Sequence, residues 1–275
     1  MPDAALPKET AVYTHGHHES VLRSHRWRTA ANSAGYLLGE LRPGMAVLDV
    51  GCGPGTITAD LAALVAPGRV TAGRHRHRHP GAGSGGGRRT RPGESRVRGG
   101  RRTRAGLPRR FLDVVPRHQV LQHVGDPVQA LREMRRVCRP GGVVAARDSD
   151  TRRWHGIRRR PGWRSGRRCT AGWPAPTARR TRTPGGKLLS WARQAGFTDI
   201  TPTAAAWCFA TPETRAWWSG LWADRTTDSV YAELAVRGGH ASTEELTAIA
   251  DTWRNWGAED DGWFLVPHGE VLCRG

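Results

Sequence analysis

Residues 47–55 read Val-Leu-Asp-Val-Gly-Cys-Gly-Pro-Gly, and this stretch decides the fold. Val47, Leu48 and Val50 form a short apolar run rich in β-branched residues, as expected of a strand buried on both faces of a parallel sheet. Three glycines follow at alternate positions. In residues 56–65 the apolar side chains recur with helical spacing. The stretch therefore predicts a strand, a glycine turn and a helix in succession.

A glycine turn of this kind is suited to holding a ligand against the main chain. Glycine permits positive φ and leaves no Cβ between the backbone and a ligand. The following helix directs free N–H groups and the positive end of its dipole at the turn. Asp49 lies in the strand, where a carboxylate is costly unless it is paired, and a cationic ligand over the turn would pair with it. The alternative is an ordinary strand–helix turn capped by Asp49.

The nine residues 47–55 resemble the first motif of the class I S-adenosylmethionine-dependent methyltransferases and differ from the dinucleotide fingerprint G-x-G-x-x-G. The resemblance is closest to the small-molecule branch related to quinone-biosynthesis methyltransferases. It covers about residues 13–72, 113–150 and 186–275. It implies an α/β fold with a doubly wound, mostly parallel sheet. It also implies S-adenosylmethionine as cofactor, with its methionine part at a set of residues around the turn: Asp49, Gly51, Cys52, Gly53, Gly55 and Thr56.

A second matching block begins at residues 111–115, which predict a strand. Asp126-Pro127 then predicts a helix start, with Asp126 as N-cap and proline at the first helical position. We expect this helix to end with Arg139 in its last turn, before the Pro-Gly-Gly of residues 140–142. A further strand is predicted at residues 143–146.

The segment between the strand and the helix of this block contains further candidate site residues. By the resemblance, His118 and Gln119 lie beside the methionine end of the cofactor. His123 is the nearest candidate base, but a structural role at the helix entry is the stronger interpretation. The catalytic residue therefore stays unassigned.

The pattern divides the chain into four parts. Residues 1–42 form an N-terminal cap segment, 43–209 the methyltransferase core, 210–261 a helical cap insertion and 262–275 the final strand of the core. The resemblance makes Tyr13 and His18 candidate wall residues of the cofactor pocket. The tryptophan-rich insertion suits a lid over the substrate, with plain aromatic packing as the alternative.

Two segments do not fit this pattern. The chain has a net charge of +19, of which residues 72–110 contribute +12 with 13 arginines and one acid. Residues 151–187 contribute another +12, so the remainder carries −5. The spans 73–110 and 151–185 are rich in Arg and Gly, and we expect them to be disordered.

In the family an acid near position 74 binds both ribose hydroxyls, but this chain has Arg74. Losing two charge-assisted hydrogen bonds of about 1.5–3 kcal/mol each weakens cofactor binding about 100-fold or more.

Two interpretations of these segments remain open. In the first interpretation the segments are nucleic-acid-binding arms, which would suit an RNA methyltransferase or a basic binding protein. In the second interpretation they are out-of-frame readings of GC-rich coding sequence, produced by compensated frameshifts. The observation behind it is that both segments replace elements that the sheet requires. We favour the second interpretation, which resequencing of the gene tests.

Composition narrows the other classes of function. An odd number of cysteines without a C-x-x-C pair predicts a reducing compartment, with neither disulfides nor a zinc site. The histidines at 15, 17 and 18 and at 75, 77 and 79 lack accompanying carboxylates or thiols, so we expect no metal. We expect no secretion signal, and the sequence has no apolar run of membrane-spanning length. We expect a cytoplasmic protein whose partner is a small-molecule methyl acceptor.

Overall fold

The computed structural model describes residues 19–73, 111–150, 155–156 and 183–275. The helices are α1 (Glu19–Arg26), α2 (Ala30–Leu38), α3 (Thr56–Val65), α4 (Pro127–Val137), α5 (Leu188–Gln194), α6 (Pro212–Asp228), α7 (Val230–Arg237) and α8 (Thr243–Gly257). The strands are β1 (Ala46–Val50), β2 (Arg69–Gly73), β3 (Leu112–His118), β4 (Cys138–Ser149), β5 (His155–Gly156), β6 (Asp199–Phe209) and β7 (Phe264–Arg274).

The described strands form one seven-stranded sheet. β2, β1, β3 and β4 lie side by side in that order and are parallel. β7 is antiparallel to β4, to β5 and to β6, so among the described strands β7 alone runs against the others. The carboxyl ends of β1 to β4 consequently meet along one edge. The predicted α/β fold with a mostly parallel sheet is confirmed.

Both faces of the sheet are covered by helices. Val47 packs with α2 and α3 on one face, whereas its neighbour Leu48 packs with α4 and α5 on the other. Val114 and Val115 of β3 divide between the two faces in the same way. This alternation follows from the two-residue period of a strand, and it gives the doubly wound arrangement that the sequence predicts.

Helix α4 begins where the sequence predicts. The Asp126 carboxylate accepts a hydrogen bond of 2.8 Å from the N–H of Gln129, and proline occupies the first turn. Its predicted end is wrong, because the chain turns extended at Cys138 and enters β4 there. Arg139 therefore lies in β4, where its guanidinium contacts the Asp113 carboxylate at 2.6 Å.

An aromatic cluster joins three helices to the ends of β6 and β7. Phe209 and Trp218 stack with ring centroids 4.1 Å apart, and Trp253 contacts Phe264 edge to face at 5.5 Å. Trp27, just after α1, packs against the same cluster. The helices α6 and α8 and the N-terminal α1 therefore lie on the same side of the fold.

Several sequence predictions fall outside the described residues. These are Tyr13 and His18, Arg74, and most of the spans 73–110 and 151–185. The structure does not test these predictions. Within the described ranges, no helix is both long and apolar enough to cross a bilayer.

Candidate functional site

The turn after β1 has the backbone that a ligand cradle requires. Gly51, Gly53 and Gly55 have φ values of +86°, +54° and +96°. Gly55 is the N-cap of α3 and offers no side-chain cap, so the first N–H groups of this ten-residue helix have no side-chain acceptor at that position. Cys52 and Thr56 belong to the same turn and are half-buried. The turn thus presents main-chain donors and the positive end of a helix dipole.

The loop after β3 closes one side of the turn. A Cβ added to Gly51 would lie 2.6 Å from Cγ2 of Val120, so any larger residue at 51 collides with this loop. Gln119, directly before Val120, has a φ of +57°, which is uncommon for a residue with a side chain. Its side-chain oxygen accepts hydrogen bonds from the N–H of Ser149 and from Gln122 Nε2. The buried Nε2 of Gln119 has no partner among the described residues.

Asp49 is the acid of the site. It is 3% exposed, and one of its carboxylate oxygens accepts a hydrogen bond from the Thr58 hydroxyl in α3. Burial raises its pKa to about 6, and the Thr58 hydrogen bond only partly opposes this. The carboxylate is therefore ionised at neutral pH without a countercharge in direct contact among the described residues, so a bound cation would stabilise it.

The N-terminal segment lies against the turn. A Cβ at Gly53 would come no nearer than 3.9 Å to its closest neighbour, Nδ1 of His25 in α1. The Thr56 hydroxyl donates to the His25 carbonyl oxygen at 3.4 Å. The space above Gly53 is therefore open to a side chain or a ligand but is bounded by α1.

A second group of polar residues lies at the carboxyl ends of β3 and β4, on the sheet face that α2 covers. We call it the Arg147 cluster, and its members are Tyr36, His118, Arg147, Trp207, His268 and Glu270. The backbone register places Arg147 beside His118 on one side and beside Glu270 on the other. His268 lies opposite Ser149, the last residue of β4.

The centre of the Arg147 cluster is a buried ion pair. Nε of Arg147 donates to Oε1 of Glu270 at 3.0 Å, and the two side chains are 1% and 6% exposed. Thr203 of β6 donates its hydroxyl to the other oxygen of Glu270 at 2.9 Å. The Arg147 guanidinium carbon lies 5.0 Å from the centroid of the Trp207 ring, so the cation also faces an aromatic surface.

Several polar atoms of the Arg147 cluster have no partner among the described residues. They are Nη1 of Arg147, Nδ1 of His118 and, apart from a weak contact with the Val266 backbone, the ring nitrogens of His268. Burial, and then the charges of Arg147 and Arg28, lower the pKa of His118 to about 3 and that of His268 to about 2. Both imidazoles are consequently neutral at physiological pH.

The structure brings part of the predicted site together. Gly51 lies against the loop that follows His118 and Gln119, and Asp49 lies on the strand that leads into the turn. His123 is half-buried in the single 3₁₀ turn Leu121–His123 before α4. The sequence analysis does not predict Arg147, His268 and Glu270 as site residues. Polar side chains at alternate positions of the otherwise apolar strand β7 could have indicated the last two.

The described residues contain no group of three or more His, Cys, Asp or Glu side chains placed to hold a metal ion. The histidine groups considered in the sequence, at 15–18 and 75–79, lie outside the described ranges.

Comparison with known protein families identifies a methyltransferase domain over residues 48–146. The matched span runs from the middle of β1 into β4, and it includes the glycine turn and the loop after β3.

Individual proteins match over different lengths. An uncharacterised methyltransferase of Schizosaccharomyces pombe is 28% identical over 98% of both chains. The protein named methyltransferase ltbC of Aspergillus luteorubrus is 30% identical over 51% of this chain and 53% of its own length. Among solved structures, phosphoethanolamine N-methyltransferase 2 of Haemonchus contortus, in complex with phosphomonomethylethanolamine and S-adenosylhomocysteine, aligns with a TM-score of 0.41 and 12% identity. That alignment covers 96% of this chain and 54% of the other.

Proposed function

We propose that this chain, whose residues 48–146 match a methyltransferase domain, is a class I S-adenosylmethionine-dependent methyltransferase that methylates a small-molecule acceptor. The observation that carries the proposal is the turn after β1, where a buried strand bearing Asp49 ends in three positive-φ glycines. The Arg147 cluster supports a small acceptor, because its polar atoms are buried among β3, β4, β7 and α2.

The residues at the turn fit the methionine end of the cofactor. A side chain at Gly53 would fill the open space over the turn, so glycine keeps that space available. Asp49 supplies an uncompensated buried carboxylate for a cationic group, and Gln119 supplies an unused amide N–H. We propose that Asp49, Gly51, Cys52, Gly53, Gly55, Thr56, His118 and Gln119 hold the cofactor.

The chain itself contributes position and electrostatics. Bound at the turn, the cofactor supplies a methyl group activated by its positive sulfur. The main chain of residues 51–55 holds the donor, and the loop around Gln119 closes the side of the turn toward β3. The protein's task is then to present the acceptor in line with the methyl group, for which correct orientation is the main catalytic term.

Cofactor affinity should depend on the ionisation of Asp49. Since its pKa is raised to about 6, the carboxylate is charged above that pH and neutral below it. We expect S-adenosylmethionine to bind about tenfold more weakly at about pH 5 than at pH 8, because the neutral acid attracts no cation. Calorimetric titrations across this range measure the effect. Asp49→Asn should bind S-adenosylmethionine weakly at every pH. A wild-type affinity that does not change with pH would contradict the role of the Asp49 carboxylate.

Position 74 should limit the affinity of this chain. Gly73, the last residue of β2, pairs with Val50 and accepts a hydrogen bond of 2.8 Å from the Gly51 N–H, so β2 ends beside the turn. We expect Arg74→Asp to bind S-adenosylmethionine at least about tenfold more tightly, because it supplies the acid that this family uses for the ribose.

A charge-matched control for Arg74→Asp exists on the same strand. Arg69→Asp makes the same change in charge at the amino end of β2, away from the turn. It should leave the affinity unchanged. Equal effects of Arg69→Asp and Arg74→Asp would mean that only the net charge matters.

The proposed function is tested by incubating the protein with labelled S-adenosylmethionine and extracted metabolites. The proposal expects label in small molecules and none in added RNA. Label in RNA alone would overturn it in favour of a nucleic-acid substrate.

A further inference from the structure

The unused polar atoms of the Arg147 cluster call for a ligand. Buried donors and acceptors in folded proteins almost always have partners, and each one that does not costs free energy. His268 is 1% exposed, and its ring has no side-chain partner among the described residues, only a weak contact with the backbone of Val266. Arg147, also 1% exposed, leaves Nη1 unused. Such a concentration of unused groups on neighbouring strands is expensive unless a bound molecule completes it.

The location of these atoms matches an acceptor site. His118 ends β3 and Arg147 lies beside it near the end of β4, at the same sheet edge as the turn after β1. β3 is the direct neighbour of β1. A molecule that contacts His268 and Arg147 is therefore separated from the glycine turn only by the end of β3.

The charges around the cluster favour an anion. The groups of the cluster and those that act on it electrostatically are Arg28 next to α2, Tyr36 on α2, His118 on β3, Arg147 and Asp148 on β4, and Glu270 on β7. Both imidazoles are neutral, and burial raises the pKa of Tyr36 well above its usual value and that of Asp148 to about 7. The guanidinium groups of Arg28 and Arg147 are therefore opposed by the Glu270 carboxylate and by an Asp148 carboxyl whose raised pKa reduces its negative charge.

The surfaces next to these atoms are aromatic. Trp207 contacts His268 with ring centroids 4.4 Å apart, and Tyr36 contacts His118 at 6.0 Å. The free donor of Arg147 suits an oxygen, and the rings suit a flat, conjugated body.

From this arrangement we propose that Arg147 and His268 bind the methyl acceptor as a phenolate or enolate, and that the reaction is O-methylation of an acidic hydroxyl. This inference rests on the proposed function. Nη1 of Arg147 and one ring N–H of His268 donate to the oxyanion. Its oxygen attacks the methyl carbon, so an O–C bond forms while the S–C bond breaks and its electron pair stays on sulfur. The acceptor arrives already ionised, so no proton moves in this step and no protein base is required.

The test uses 4-nitrophenol as a probe, because it absorbs visible light only as the phenolate. The protein is first saturated with S-adenosylhomocysteine, whose binding is confirmed by calorimetry. We expect wild type to bind the probe as phenolate and to lower the apparent pKa of the bound probe. His268→Leu should weaken probe binding by at least about tenfold while leaving the melting temperature unchanged or higher, because it removes unpaired buried polar atoms.

A second variant keeps the test decisive. His268→Asn retains a donor and an acceptor in a smaller side chain and should bind the probe within about threefold of wild type. Failure of cofactor-loaded wild type to bind the phenolate, or equal binding by wild type and His268→Leu, would overturn the inference. So would a large drop in the melting temperature of His268→Leu, which would mean that His268 has a structural role. Absence of S-adenosylhomocysteine binding would instead refute the proposed function itself.

Discussion

Glu270→Gln is expected to lower the free energy of unfolding by about 3–5 kcal/mol. Glu270 and Arg147 form the buried ion pair between β7 and β4, with both side chains almost fully removed from solvent. The neutral amide would leave the Arg147 guanidinium charged and buried without its carboxylate. Chemical denaturation at neutral pH measures the loss.

The chain offers a matched control on the same strand. Arg274 of β7 contacts Glu40 at 2.7 Å, but these side chains are 36% and 28% exposed. Glu40→Gln should therefore cost less than about 1 kcal/mol, because solvent screens the pair. Replacing both Arg147 and Glu270 by Met should recover much of the loss, since no unpaired charge remains. Equal effects of Glu40→Gln and Glu270→Gln would refute the assignment of Arg147–Glu270 as the electrostatic centre of this edge.

Gly53→Arg is expected to weaken S-adenosylmethionine binding by at least about 100-fold, or roughly 2.7 kcal/mol. The space above Gly53 is open, so an arginine there would project over the turn without colliding with the protein. It would occupy the place of the cofactor and repel a cationic ligand. Calorimetry measures the change in affinity.

The control for Gly53→Arg is a second glycine with positive φ, at the other end of β1. Gly44 has a φ of +89° and an open surrounding, and it precedes β1 instead of following it. Gly44→Arg carries the same charge and a similar positive-φ cost of about 1–2 kcal/mol. It should lower stability yet leave cofactor affinity unchanged. If both variants lost binding equally, the loss would reflect destabilisation and not the location of the ligand.

The sequence predicts those helices, strands and turns whose signals lie within a short run of consecutive residues. The turn after β1 is visible because strand, glycines and helix follow within about twenty residues, and Asp126-Pro127 marks the start of α4 for the same reason. The end of α4 was misjudged because Cys138 already belongs to a strand that the pattern placed at residue 143.

The Arg147 cluster could not be predicted in this way. Arg147 and Glu270 are 123 residues apart, and only the register between β4 and β7 places them opposite each other. His268 joins them through the same register, and Trp207 through the pairing of β6 with β7. A charged residue at the end of a strand indicates a site, but its partners depend on strand order, which the local pattern does not contain.

We propose that the methyl donor lies against bare main chain where β1 passes into α3. The most direct test is a crystal structure of the protein in complex with S-adenosylhomocysteine. We expect the amino acid end of that ligand to lie against the backbone of residues 51–55, with its amino group toward Asp49. A ligand bound elsewhere, or a turn filled by side chains of the protein itself, would contradict it.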